Sequence, residues 1–184
     1  MAYRNGTYIA FHAEGTNVPV DTDMKYYNLL KAWTAKGDDD FSMINSHEKT
    51  AAVRDSSERR TLRDRLVTRL RNSKHLLLII GETTKNDTDW VPFEISYAID
   101  DCGIPVIAVY TDYDYVQNPA SHENEWPEAL KSRIKDKSAR VIHIPFKKEP
   151  ISAAIKQFDA ETKPSSGLSY YTRDCYIKWG LIKE

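Results

Sequence analysis

The sequence predicts a doubly wound α/β fold: a parallel five-stranded sheet with helices on both faces. Three observations carry this. Short β-type runs alternate with segments of helical periodicity five times along the chain. Two of the runs, His75 to Ile80 and Ile104 to Tyr110, are continuously apolar over most of their length, as strands covered on both faces are. Breakers such as Gly37, Gly81 and Gly103 stand where one kind of segment gives way to the next.

Thr7 to Phe11 reads as the first strand. Met24 to Ala35 has apolar or aromatic residues at 26, 27, 29, 30 and 33, a helical spacing that Gly37 ends. Phe41 to Asn45 is a short second strand. Ser56 or Ser57 caps a helix running to about Asn72, and its Leu62, Leu66 and Leu70 recur every four residues to face a core. After the third strand, Gly81 to Asp89 is a polar loop. Asp89 is placed to cap a helix with Pro92 in its first turn, and that helix ends at Cys102-Gly103. The fourth strand leads into a loop from Thr111 to Glu125 rich in Asp, Asn and Tyr. A helix from Glu128 to Ile134, a fifth strand from Arg140 to Ile144 and a helix from Ile151 to Phe158 follow. The expected arrangement is the flavodoxin-like order 2-1-3-4-5, with a ligand beyond the carboxyl ends of the strands. The loops after Phe11, Asn45, Ile80 and Tyr110 are then the ones that line a site. Residues 1–163 are expected to form this domain. Residues 164–184 form an extension, carrying Tyr170, Tyr171, Tyr176 and Trp179, that packs on or beside it as cover for a sheet edge or as a self-association surface.

A chain of 184 residues is long enough to bury a proper core. Its net charge of −1 supplies no field toward nucleic acid or anionic lipid, so neither partner is expected. Cys102 and Cys175 are far apart in sequence and form no CxxC pair, so no metal site or disulfide framework is expected. Met1 to Asn17 lacks a basic region followed by an apolar run, and the longest apolar stretch, Leu76 to Ile80, is too short to cross a bilayer. A reduced, cytoplasmic setting is expected. The arginines from Arg59 to Arg71 are interspersed with Asp64 and other acids and carry no interleaved aromatics, so they read as a solvated helix face.

The chemistry concentrates at Trp90 and Glu94, four residues apart on one helical face. A carboxylate below an indole wall suits a cationic ribosyl group, the species formed when an N-glycosidic bond breaks. Spacing alone leaves a second reading open, a helix-end charge and a packing aromatic. Phe11 and His12 end the first strand. Phe11 is read equally as core packing or as ring-stacking on a ligand, and His12 as a structural hydrogen bond or a ribose or phosphate contact. Ser46 follows the second strand, where it serves a turn or meets ribose hydroxyls. Neither GxGxxG nor GxxxxGK[ST] occurs, which argues against a dehydrogenase or a P-loop NTPase.

The segment Asp89 to Ala98, DWVPFEISYA, resembles the TIR signature in which a Trp opens the third helix and a Glu follows four residues later. With TYIAFHA at the first strand, it is similar to the TIR-like ThsB family of bacterial Thoeris anti-phage defence. Phe11 stands where many TIR domains have Ser, and Thr88-Asp89-Trp90-Val91 replaces the usual Ser-x-Trp-Cys, both as suits the ThsB-like branch. The resemblance implies a TIR-like NAD⁺-cleaving enzyme with Glu94 as catalytic carboxylate. On their positions in the chain Phe11, His12, Ser46 and Trp90 are the expected substrate contacts; NAD⁺ would be consumed as substrate and not held as a cofactor, and no metal is expected. The resemblance also implies a cyclic ADP-ribose-type product that activates a ThsA-like effector, and a homo-oligomer or phage-derived trigger that turns the enzyme on. Two other readings remain at this stage: a non-catalytic TIR-like scaffold, and a nucleoside or nucleotide N-glycosidase on a similar sheet.

Overall fold

The structure is a computed structural model, which describes residues 4, 6–12, 23–35, 43–44 and 56–183. Its sheet is entirely parallel: β1 (Gly6–Ala10), β2 (Met43–Ile44), β3 (Ser73–Ile80), β4 (Val106–Tyr110), β5 (Val141–Pro145) and β6 (Ser169–Tyr170), in the order β2-β1-β3-β4-β5-β6. The expected order 2-1-3-4-5 is present, with a sixth strand from the chain's tail added beyond β5. The helices are α1 (Met24–Ala35), α2 (Ser56–Arg71), α3 (Trp90–Ser96), α4 (Glu128–Lys135), α5 (Lys148–Gln157) and α6 (Arg173–Lys178).

The apolar runs explain the layers. Leu76, Leu78 and Ile80 of β3 face one core with Leu62, Leu66 and Leu70 of α2 and Val91 and Ile95 of α3. Leu77 and Ile79 face the opposite core with Tyr27 and Leu30 of α1 and Ile151 and Ala154 of α5. Successive side chains of a strand point to opposite faces, so a strand covered on both sides must be apolar at every position.

Three local expectations are corrected. The helix after β3 does not run evenly to Cys102, because from Tyr97 to Asp101 it widens into a π-turn. The Cys102 N–H reaches back five residues to the Tyr97 carbonyl, and Gly103, at φ 60°, closes the turn in a conformation that favours glycine. The fourth strand begins at Val106, just after Pro105, which has no N–H to donate. The fifth helix starts at Lys148, three residues earlier than the apolar spacing indicates, because Pro150 is accommodated in its first turn. Among the described residues no helix is long and apolar enough to cross a membrane.

Two buried histidines tie the layers together. The Thr7 hydroxyl donates to His75 Nε2 at 2.6 Å, and His75 Nδ1–H donates to the Phe158 carbonyl at 3.0 Å. In the second chain of bonds Trp126 Nε1–H donates to the Tyr110 hydroxyl at 2.6 Å, and that hydroxyl donates to His143 Nδ1 at 2.8 Å. His143 Nε2–H then donates to the Gly167 carbonyl at 2.9 Å. Burial lowers both imidazoles from 6.5 to about 4, with the bonds to Phe158 and Gly167 offsetting part of the effect. Between those values the unfolded chain binds protons that the folded one refuses, so stability falls as pH drops from about 6.5 toward 4. The expected loss is about 2 kcal/mol per histidine at pH 5, above the range where ordinary carboxylates titrate. Urea midpoints at pH 7 and pH 5 check this, and equal midpoints would refute it.

Candidate functional site

β1 lies beside β3, with Tyr8 in register with Leu76 and Ala10 with Leu78, so the polar loop after β3 leaves the sheet next to the end of β1. That loop is held from beneath. Gly81 N–H donates to the Thr84 hydroxyl at 2.8 Å, and the hydroxyl donates to Asp23 Oδ2 at 2.8 Å. Asp23, only 5% exposed, also starts α1 through its carbonyl, which accepts the Tyr26 and Tyr27 N–H groups. Glycine at 81 is a steric requirement, since a Cβ there would lie 2.1 Å from Asp23 Oδ1.

The loop delivers α3. Asp89, expected to cap this helix, makes no capping bond. Asp87 supplies the acceptor instead, taking the Asp89 N–H at 2.8 Å and the Val91 N–H at 3.4 Å through Oδ1. Asp89 pairs with Arg59 of α2. Glu94 falls just past the first turn, which holds no acidic residue, so little of the helix-end field reaches it. Its environment is set by the sheet. The side chain points into the core shared by α2, α3 and β1, is 0% exposed, and accepts a hydrogen bond from the Tyr8 hydroxyl at 2.5 Å. Burial, then the Glu94 charge and the hydrogen bond to it, push the Tyr8 hydroxyl well above its ordinary range, partly offset by Arg69. Tyr8 is therefore a permanent donor at any pH the protein meets.

The five residues singled out in the sequence do not all gather at Glu94. Trp90 shares α3 with it and packs, half-buried, against the same core, with Phe93 edge-on at 6.3 Å and the Arg59 guanidinium 5.3 Å above its ring. Phe11 lies on the other face of the sheet, 1% exposed and stacked on Tyr27 at 5.0 Å. His12, at the strand end, is hydrogen-bonded through Nδ1 to Thr83 Oγ1 at 3.2 Å, joining the β1 and β3 loops. Ser46 lies outside the described residues. The residues that sequence reasoning missed are Tyr8, Asp23 and Arg59. Tyr8 was detectable in principle: a phenol inside a strand buried on both faces needs an acceptor, and the carboxylate on the helix after the neighbouring β3 is in reach. The arginine face of α2 is exposed, as expected, at Arg59, Arg60, Arg63, Arg65 and Arg71; within it Arg63 lies 4.9 Å over Phe93 of α3 and Arg71 lies 5.8 Å over Tyr97 of the π-turn that follows.

A doubly wound parallel sheet of this order, with a carboxylate on the helix that follows the third strand, is the arrangement of a TIR-like, flavodoxin-like domain. Residues 8–116 match the family described as Thoeris protein ThsB, TIR-like domain. The match covers more than half of the chain, and the chain belongs to that family.

Gly81→Ala should destabilise the protein by about 1–3 kcal/mol, the usual cost of forcing an extra carbon into a packed site. It should also loosen the loop that carries α3. Thermal melting checks the first effect, and a melting temperature equal to wild type would show that Asp23 does not close on Gly81.

Proposed function

We propose that this protein cleaves NAD⁺ at the bond between nicotinamide and ribose, as part of Thoeris-type anti-phage defence. The observation that carries the reading is a single one. The chain belongs to this family, and Glu94 stands on the helix after the third strand, where the resemblance of DWVPFEISYA to the TIR signature expects the catalytic glutamate.

The chemistry asks for a negative charge beside C1″. As the C1″–N1 bond breaks, its electron pair goes to the nicotinamide nitrogen, which leaves neutral, and positive character builds on the ribosyl carbon. The Glu94 carboxylate stabilises that charge or bonds to it. Capture of C1″ by water gives ADP-ribose and a proton, whereas capture by a nucleophile of the same ADP-ribose gives a cyclic isomer. We favour the cyclic product, a diffusible signal read by a ThsA-like effector. Trp90 is a half-buried aromatic one turn before Glu94 on the same helix and suits the wall of the ribosyl site. His12, tied to Thr83 at the mouth of the β1 and β3 loops, suits a ribose or phosphate contact. Ser46, which follows the second strand, is kept as a ribose contact, whereas Phe11 packs in the core on the other face of the sheet and is not part of this site.

A second reading, a non-catalytic interaction module, is favoured by one observation: Glu94 has no exposed surface. Glu94→Gln separates the two. Gln retains an oxygen to accept from Tyr8, so the fold and the melting temperature should be preserved. Losing the charge should slow nicotinamide release by on the order of a hundred- to a thousandfold. The assay compares wild type and mutant, purified from phage-challenged cells, for free nicotinamide from NAD⁺. Wild-type turnover in the mutant would remove Glu94 from the chemistry, and absence of turnover in both would return the module reading to first place.

A further inference from the structure

The loop between β4 and α4 is rich in Asp, Asn and Tyr, and no residue proposed for NAD⁺ cleavage lies on it. It shapes a cavity of about 400 Å³ at the carboxyl edge of the sheet, two strands along from β1. On the cavity wall several donors are spent within the protein. The Tyr113 hydroxyl donates to Glu125 Oε1 at 2.7 Å, and the Ser121 hydroxyl donates to the Asn118 carbonyl at 2.7 Å. His122 Nδ1 meets the same Glu125 oxygen at 3.0 Å. A carboxylate only accepts, so Nδ1 carries the proton and Nε2 of the neutral ring is an acceptor. The carboxylates of the wall are left open. Asp114 gives one oxygen to Lys147 at 2.7 Å and keeps the other, and the Asp112 carboxylate has no hydrogen bond or ion pair among the described residues. Asp112, Asp114 and Glu125 stand against one cation, Lys147, so the wall is negative. Its apolar part is aromatic. Tyr115 is 50% exposed and packs on Tyr176 of the tail at 6.3 Å, and the Tyr113 and His122 rings lie 4.3 Å apart.

We propose that this cavity binds a small guanidinium compound. Its volume falls within the range of small-molecule sites. A guanidinium is flat, its N–H donors form a fork that matches a carboxylate two bonds at a time, and its face stacks on aromatic rings. Asp112 suits the fork, and the Tyr115 ring suits the face. An ammonium is a point charge with neither match, so it is held less well. The walls are also set before a ligand arrives. The tail supports Tyr115, and Glu125 holds Tyr113 and His122 together, so little ordering is lost on binding.

The test is calorimetric titration of the full chain with two probes. Agmatine carries a guanidinium at one end and an ammonium at the other, and putrescine carries an ammonium at both. Asp112→Asn keeps the shape and removes the charge. Because Asp112 is exposed and unbonded, the melting temperature of this variant should match wild type. Glu161→Gln, at an exposed carboxylate between α5 and β6, controls for general charge attraction. Wild type should bind agmatine with a dissociation constant below about 1 mM, and putrescine roughly tenfold more weakly. Asp112→Asn should weaken agmatine binding by roughly tenfold, the loss of one charge-assisted contact, and Glu161→Gln should leave it unchanged. The assignment is overturned if wild type shows no saturable binding of agmatine, or binds putrescine as tightly. It is equally overturned if Asp112→Asn binds agmatine as wild type does, or if Glu161→Gln weakens binding to the same extent. All of these results are read from binding alone, so they stand apart from the outcome for NAD⁺ cleavage.

Discussion

Covering a parallel sheet on both faces imposes one condition on the whole molecule: a polar side chain that enters must find its partner inside. Thr7, His75, His143, Asp23 and Glu94 all enter and are all nearly inaccessible to solvent. The partners they find lie on different layers. His75 joins β1 and β3 to the end of α5, and His143 joins β4 and β5 to the segment before β6. Asp23 joins the start of α1 to the loop after β3, and Glu94 joins α3 to β1. The apolar layers supply the driving force for collapse, but they would tolerate a slip of one layer on another. These polar contacts fix the register because each has a single geometry that satisfies it, and a slip would leave a buried group unpaired at a cost of about 1–3 kcal/mol.

The fold was legible in the sequence because its signals are local. Leu62, Leu66 and Leu70 announce a one-sided helix, and Leu76 to Ile80 a strand covered twice. Met24 to Ala35 is bounded by its own periodicity and ends as read. The boundaries that moved depend on contacts that a local pattern does not contain. The π-turn at Tyr97 to Asp101 follows from the Cys102 N–H reaching Tyr97, and the cap of α3 passed from Asp89 to Asp87 because Arg59 engages Asp89. Of the candidate site, only the placing of Trp90 and Glu94 on one helix was legible, because their spacing is short. Phe11 and Glu94 are brought near in chain topology but separated by the sheet, since Phe11, directly after β1, continues the strand's alternation and falls on the opposite core from Tyr8. Tyr8 and Glu94 are 86 positions apart, and only the pairing of β1 with β3 makes them neighbours.

The tail is bound to the same end of the molecule as the loop after β4. Beyond β6, Tyr176 of α6 is fully buried and its hydroxyl donates to the Val116 carbonyl at 3.2 Å. Above the buried Tyr110, the Tyr113 hydroxyl donates to Glu125 Oε1 at 2.7 Å and is pushed up to about 12, chiefly by that bond. His122 contacts the same carboxylate oxygen at 3.0 Å. A loop rich in Asp, Asn and Tyr would otherwise be a poor wall for any site, because its own residues bury little. Here it is braced by the tail on one side and by its own carboxylate on the other. That gives the aromatic tail a structural reason to exist apart from self-association.

The orientation of α3 is set from outside as well as inside. Seven residues are too few to hold a helix in isolation. On the inner side Val91 and Ile95 pack on the sheet and Glu94 reaches Tyr8. On the outer side Trp90, Phe93 and Tyr97 lie beneath Arg59, Arg63 and Arg71 of α2, contacts worth about 0.5–1 kcal/mol each at exposed positions. The two helices are therefore coupled along their length, by leucines beneath and by arginines above. The leucines of α2 from beneath and its arginines from above thus hold α3 from two sides, and the buried Glu94 lies on the inner one.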